Sequence, residues 1–154
     1  MITFTQFLTE ARTAPIYHAT RLRNAEKILH DNILYGTLQD NGNMQGKKGI
    51  FFTRSLKHAR NIYGGAEKVI FVIDQQKLNY RYKIKPIKNW DSMDRNHKPQ
   101  WMTGYLGGNE FEEFVTANRI DNFDDYITKI YVASDIDKKQ YPLLASDPRV
   151  EVLK

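Results

Sequence analysis

The stretch KVIFVI, residues 68–73, constrains the fold of this chain more than any other segment. After its opening lysine it has no polar position, so neither side of an extended chain is left for water. A run of this kind is satisfied as a central strand covered on both faces, which requires layers above and below a sheet. Shorter signals surround it. IYHAT (16–20) and IFFTR (50–54) are strand-like, and each leads into a helical pattern. NAEKILHDN follows the first, with Asn24 as its N-cap and Ala25, Ile28 and Leu29 on one face. Ser55 caps the second, where Leu56, Ala59, Ile62 and Tyr63 form an apolar stripe that stops at Gly64-Gly65. YRYKIKPI (80–87) alternates apolar and basic residues and reads as a half-buried strand, and EFEEFVTA, DYITKIYVA and RVEVL supply the remaining strands. The order predicts a mixed α+β fold with strands gathered toward the C-terminus.

A chain of 154 residues with 41% apolar content is enough for one domain with a real core, and no internal repeat or second domain is visible. The formal charge of +5 suits contact with polyanions, either nucleic acid or a phosphate-bearing small molecule. The absence of cysteine excludes a disulfide framework, thiolate metal sites and a cysteine nucleophile, and fits a reducing compartment. No stretch reaches the length of a membrane span, so no membrane partner is expected. The N-terminus lacks the basic region and apolar core of a general secretory signal.

Two segments fall outside the regular pattern. Residues 36–49, GTLQDNGNMQGKKG, are polar and glycine-rich and read as a loop. Residues 88–109 form a longer irregular stretch carrying Trp90, Trp101 and Tyr105 together with Lys88, Arg95 and Lys98. That mixture suits stacking on bases or rings, and makes these three aromatics candidate substrate-binding residues.

Motif chemistry narrows the candidates. There is no GxGxxG, no Walker loop, no HExxH and no GxSxG, and the four histidines lack metal-ligand spacing, so no metal is expected. His30 and His58 fall on polar helix faces and read as surface residues. His18 sits inside an apolar strand, where an imidazole is costly unless hydrogen-bonded. Arg54 lies between Thr53 and Ser55 at a strand-to-helix junction, a place where a cation, hydroxyls and helix amides can hold an anion. Glu112 and Glu113 precede an apolar strand and take opposite faces of an extended chain, so one of them can face the interior.

The order of these short motifs resembles the DarT-like branch of the NAD-dependent ADP-ribosyltransferases. Tyr17, His18 and Thr20 match a Tyr-His-x-Thr strand, and Asn24, Ile28 and Leu29 match the helix after it. Phe51, Phe52 and Arg54 match an aromatic strand ending in arginine, and the glutamate immediately ahead of an apolar strand favours Glu113 over Glu112. A Glu-x-Glu reading with Glu110 and Glu112 stays open. The resemblance covers roughly residues 15–133. It implies an ADP-ribosyltransferase fold of two small, packed, mostly antiparallel sheets with flanking helices and an NAD cleft between them. NAD is implied as substrate, held by His18, Thr20, Asn24, Arg54 and Ser55, with ADP-ribose passing to a macromolecular acceptor, either nucleic acid or a host protein. The loops at 36–49 and 88–109 do not match the family's DNA-reading elements, and "FTRS" only approximates the Ser-Thr-Ser strand of arginine-specific relatives. An RNA 2′-phosphotransferase would share the NAD chemistry but lean on arginines and histidines rather than on a glutamate before a strand.

The first residues, MITFTQFLTEA, place Phe4, Phe7, Leu8 and Ala11 at helical spacing. They resemble the capsid-targeting N-termini of internal head proteins in T-even-type phages, which are cut after glutamate in a Leu-x-Glu pattern, here Leu8-Thr9-Glu10. The resemblance implies a propeptide over 1–10, a domain over 11–154, residence in the phage capsid interior and delivery to the host cytoplasm. The bland reading is a docked N-terminal helix, and the alternative function is a non-enzymatic packaged protein that binds DNA or inhibits a host defence protein.

Overall fold

The computed structural model describes residues 13–38, 48–62, 65–86, 112–115 and 117–154. Ten strands and four helices run through them: β1 (Ile16–Arg21), α1 (Leu22–Asp31), β2 (Ile33–Tyr35), β3 (Thr37–Leu38), β4 (Lys48–Thr53), α2 (Leu56–Ile62), β5 (Lys68–Ile73), α3 (Gln75–Arg81), β6 (Ile84–Pro86), β7 (Glu112–Val115), β8 (Arg119–Asp121), β9 (Ile127–Val132), α4 (Pro142–Ser146) and β10 (Val150–Val152). A 3₁₀ turn, Phe123–Tyr126, leads into β9. The fold is α+β with two sheets. They are unequal: one has eight strands in the order β10-β9-β5-β1-β4-β7-β6 with β3 beside β4, and the other is the β2–β8 ribbon. Every pairing is antiparallel except β10 with β9.

All six residues of β5 are buried, as the unbroken apolar run predicts. One face of the sheet presents Ile16, Phe52, Val69, Phe71, Ile73, Ile130 and Val132 to a core completed by Ala25 and Ile28 of α1, Leu34 and Ile120 of the ribbon, Leu78, Phe123 and Leu144. Phe71 and Phe123 meet edge to face at 5.6 Å between ring centres. On the other face Ile70 and Ala59 of α2 are fully buried. Each large side chain removed from water in this way contributes about 1.5–3 kcal/mol.

Polar side chains fix how the layers meet. Asn32 ends α1 in the left-handed region (φ 54°), which asparagine tolerates. Its side-chain oxygen accepts the Asp124 amide at 2.7 Å and its carbonyl the Phe123 amide at 3.1 Å, so the helix end is tied to the 3₁₀ turn. The Glu26 carboxylate accepts the amides of Leu143 and Leu144 at 2.8 and 2.9 Å, capping α4 from α1 and supplying partners that a helix start otherwise lacks. Arg149 forks onto Asp147 (2.9 and 2.7 Å) and reaches Asp124 at 2.6 Å. Hydrogen bonding to Arg149 holds the Asp147 carboxyl below its ordinary value.

Three local expectations are corrected. Asn24 is not an N-cap: α1 begins at Leu22, and the N-cap residue, Arg21, makes no side-chain capping bond. The stretch from Tyr80 is not a strand throughout. Asp74 caps a helix by accepting the Lys77 amide at 3.1 Å, α3 runs to Arg81, and only Ile84–Pro86 is extended. The glycine-rich loop is closed at its base by the β3–β4 pair, Thr37 opposite Gly49 and Leu38 opposite Lys48, while residues 39–47 lie outside the described residues.

Gly36 sits where the ribbon crosses the chain, its amide donating to the Asn118 carbonyl at 2.8 Å. A Cβ there would stand 2.5 Å from the Ala117 carbonyl oxygen, which is backbone and cannot swing aside. Gly36→Ala is expected to lower stability by about 1–3 kcal/mol, read from the midpoint of urea unfolding.

Candidate functional site

The site is assembled on β1, β4 and β7. Tyr17 pairs with Thr53 across β1–β4, which sets His18 beside Phe52 and Ile16 beside Arg54. On β4, Phe52 pairs with Glu113 and Thr53 with Glu112. One row across the sheet therefore reads Phe71, His18, Phe52, Glu113, Pro86, and the neighbouring row holds Tyr17, Thr53 and Glu112. His18 and Glu113 stand two strands apart in the same row, about 10 Å between backbones. Successive rows belong to opposite faces of a pleated sheet, so Glu113 holds a position on the face of His18 and Glu112 a position on the other. Arg54 follows β4 directly, at the bend that leads into α2.

His18 is partly buried. Its Nδ1 lies 3.0 Å from the Phe51 carbonyl, and its ring meets Phe52 edge-on at 5.7 Å. A carbonyl can only accept, so Nδ1 carries the proton and Nε2 of the neutral ring is an acceptor. Nε2 has no hydrogen-bond partner among the described residues. Burial lowers the imidazole pKa, and the bond to Phe51 opposes this only in part. His18 is therefore a neutral acceptor near pH 7.

The remaining expected residues take these places. Thr20 is buried on the His18 face, two residues along β1. Asn24 is exposed on the third residue of α1. Thr53 is buried and its hydroxyl accepts the Ser55 amide at 3.2 Å, while the Ser55 hydroxyl accepts the His58 amide at 3.1 Å. The two hydroxyls at the Arg54 junction are thus engaged in shaping the turn, and Ser55 caps α2 as its sequence predicts. His30 is exposed and contacts Asp31; His58 is instead partly buried, and desolvation lowers its pKa. Trp90, Trp101, Tyr105, His97 and residues 1–12 lie outside the described residues. Among the described residues no three His, Asp or Glu side chains are grouped to hold a metal ion, and no helix is long and apolar enough to cross a membrane.

Two members of the site are matched by sequence in the aromatic strand without being assigned a role. Phe52 gives His18 its apolar wall, and the Phe51 carbonyl selects its tautomer. A carbonyl oxygen is common to every residue, so no sequence signal marks it. Because the folded pKa of His18 is lowered, its contribution to stability is complete above the ordinary imidazole value. It is lost as pH falls from there through the lowered folded value. The His18 ring signals followed by NMR are expected to titrate below the pH of a free histidine, with stability declining over that same interval.

Solved structures of DarT from Thermus sp. 2.9 are similar to this chain. The complex with NAD+ has a TM-score of 0.51 at 15% identity, covering 92% of this chain and 96% of that one. The complex with carba-NAD+ has a TM-score of 0.50 at 16% identity, covering 92% and 96%. The complex with ADP-ribosylated single-stranded DNA has a TM-score of 0.52 at 14% identity, covering 92% and 94%. The chain thus has the ADP-ribosyltransferase fold of DarT. No protein-family model and no curated protein sequence matches it.

Proposed function

We propose that this protein transfers ADP-ribose from NAD to a nucleic acid, with Glu113 as the catalytic carboxylate. The observation that carries the reading is the register row that brings the positions of His18, Phe52 and Glu113 together beside Arg54, on a fold shared with DarT. Neutral His18 offers Nε2 as an acceptor to a ribose hydroxyl. Arg54 suits the pyrophosphate, because a guanidinium fork matches two oxygens. Thr20, two residues along β1 on the His18 face, and Asn24 on α1 are proposed to contribute to holding NAD, and Ser55 shapes the turn that carries Arg54.

The reaction breaks the bond between nicotinamide nitrogen and ribose C1′. Nicotinamide leaves with the bonding electrons, and C1′ passes through an oxocarbenium-like cation, as in glycoside hydrolysis. A carboxylate held beside that carbon stabilises the charge as it develops and hydrogen-bonds a ribose hydroxyl. The acceptor then bonds to C1′ and gives up its proton. Register favours Glu113 over Glu112 for this role, since Glu112 takes the row of Tyr17 and Thr53 on the opposite face. Trp90, Trp101 and Tyr105 are proposed to stack on the acceptor or the nicotinamide ring.

Purified protein incubated with labelled NAD and single-stranded DNA tests the reading. Wild type is expected to release nicotinamide and label the DNA. Glu113→Gln is expected to lose about 10²–10³-fold in rate, and Glu112→Gln is expected to keep most of it. Wild type that consumes no NAD would overturn the proposal in favour of a nucleic-acid-binding protein without catalysis.

Packaging in a phage head is a separate proposal resting on residues 1–10 alone. The expected result is a virion-associated form whose intact mass begins at Ala11; a full-length form in virions, or none there, counts against it.

A further inference from the structure

Beyond β7 the last strand of the sheet among the described residues is β6, whose Pro86 stands opposite Glu113. The segment leading into this edge is strongly basic. Residues 74–85 hold one acid, Asp74, against Lys77, Arg81, Lys83 and Lys85, a formal +3 within a chain of +5 overall. Lys77, Tyr80 and Arg81 are exposed on α3, whose buried side carries Gln75 and Leu78. Tyr80 is 96% exposed.

This exposure is held in a fixed geometry. Asn79 Oδ1 accepts the Ile84 amide at 2.9 Å, closing the turn between α3 and β6. The Tyr82 hydroxyl accepts the Asp121 amide at 3.0 Å, and its ring meets Tyr126 edge-on at 6.3 Å. Residues 80–83 are thus pinned on both sides while Tyr80, Arg81 and Lys83 point outward. Three exposed cations elsewhere are paired with acids: Lys27 with Asp31, Arg119 with Asp121 and Lys129 with Glu151. Arg81 and Lys83 pair with none among the described residues. An outward tyrosine on a rigid turn, flanked by uncompensated cations, matches the chemistry of a strand with stackable bases and a phosphate backbone.

We propose that Tyr80, Arg81 and Lys83 form a docking surface for the single-stranded nucleic acid that accepts ADP-ribose. Tyr80 stacks on a base, and the two cations contact flanking phosphates. Lys83 lies three residues and one strand spacing from Glu113, about 11 Å between backbones, so a strand held here runs up to the reacting carboxylate. This surface deepens the transfer reading and supplies a grip outside the NAD site. A duplex, with its bases stacked internally, gives Tyr80 nothing to stack on.

Fluorescence anisotropy with a short fluorescein-labelled single-stranded DNA oligonucleotide, without NAD, reads this surface separately from the transfer reaction. Tyr80→Ala is expected to weaken binding about ten- to a hundredfold, and Tyr80→Phe to retain it. Arg81→Ala with Lys83→Ala is expected to weaken binding and to reduce the salt slope by about 1.4, whereas Lys139→Ala, in the turn before α4, is expected to change little. Melting temperatures equal to wild type confirm that the variants fold. Wild-type affinity in Tyr80→Ala and in the double variant overturns the proposal, as does wild-type protein that prefers duplex or binds no oligonucleotide. Intact binding with no NAD consumption would overturn the transfer reading and leave the docking surface standing.

Discussion

Strand β5 must be kept dry along all six of its residues, and the placement of the other strands follows from that requirement. It takes β1 on one side over six register pairs and β9 on the other, and helices and ribbon close over both faces. The pairing with β1 also positions the site. A slip of one residue would carry the buried Ile16 and Thr20 out of the core face and turn Tyr17 and the exposed, charged Arg21 toward it. The row shared by His18, Phe52 and Glu113 is therefore enforced by hydrophobic burial several residues away from any chemistry.

Burial fixes the rows, and polar side chains fix how the layers sit on them. Glu26, Asn32, Asp74, Ser55 and Asn79 each supply an oxygen to backbone amides at an element boundary. These bonds are directional, whereas apolar contacts are tolerant of small shifts. A sheet packed by hydrophobic contact alone could slide beneath its helices. The amide–oxygen contacts at Asn32 and Glu26 remove that freedom by tying α1 to the 3₁₀ turn and to α4.

Much of this was legible in the chain because the signals were local. The apolar run 68–73, the His18 strand, the aromatic strand ahead of Arg54 and the Ser55 cap all lie within a few residues of the features that reveal them. The misreadings came where two local signals competed. Asn24 is a good capping residue, yet packing of Ala25 and Ile28 starts α1 at Leu22, directly off the end of β1. The alternation in YRYKIKPI was outweighed by the Asp74 cap and the burial of Leu78, which make its first residues helical. What stayed hidden was long-range. The carbonyl that selects the His18 tautomer is 33 residues away in sequence, and the partners of Glu26 are more distant still, at 117 and 118.

The Phe52–Glu113 pairing joins positions about sixty residues apart, and β1 reaches β5 only across the intervening β2–β4 segment. Closing such loops costs conformational entropy before any contact rewards it, which makes pairings of this kind late events in folding. During synthesis the N-terminal strand with His18 emerges long before the strand with Glu113. A nascent or partly folded chain thus holds half of the proposed chemistry and can do none of it. A chain in which β7 has not yet docked against β4 lacks the Phe52–Glu113 pairing on which the proposed chemistry depends.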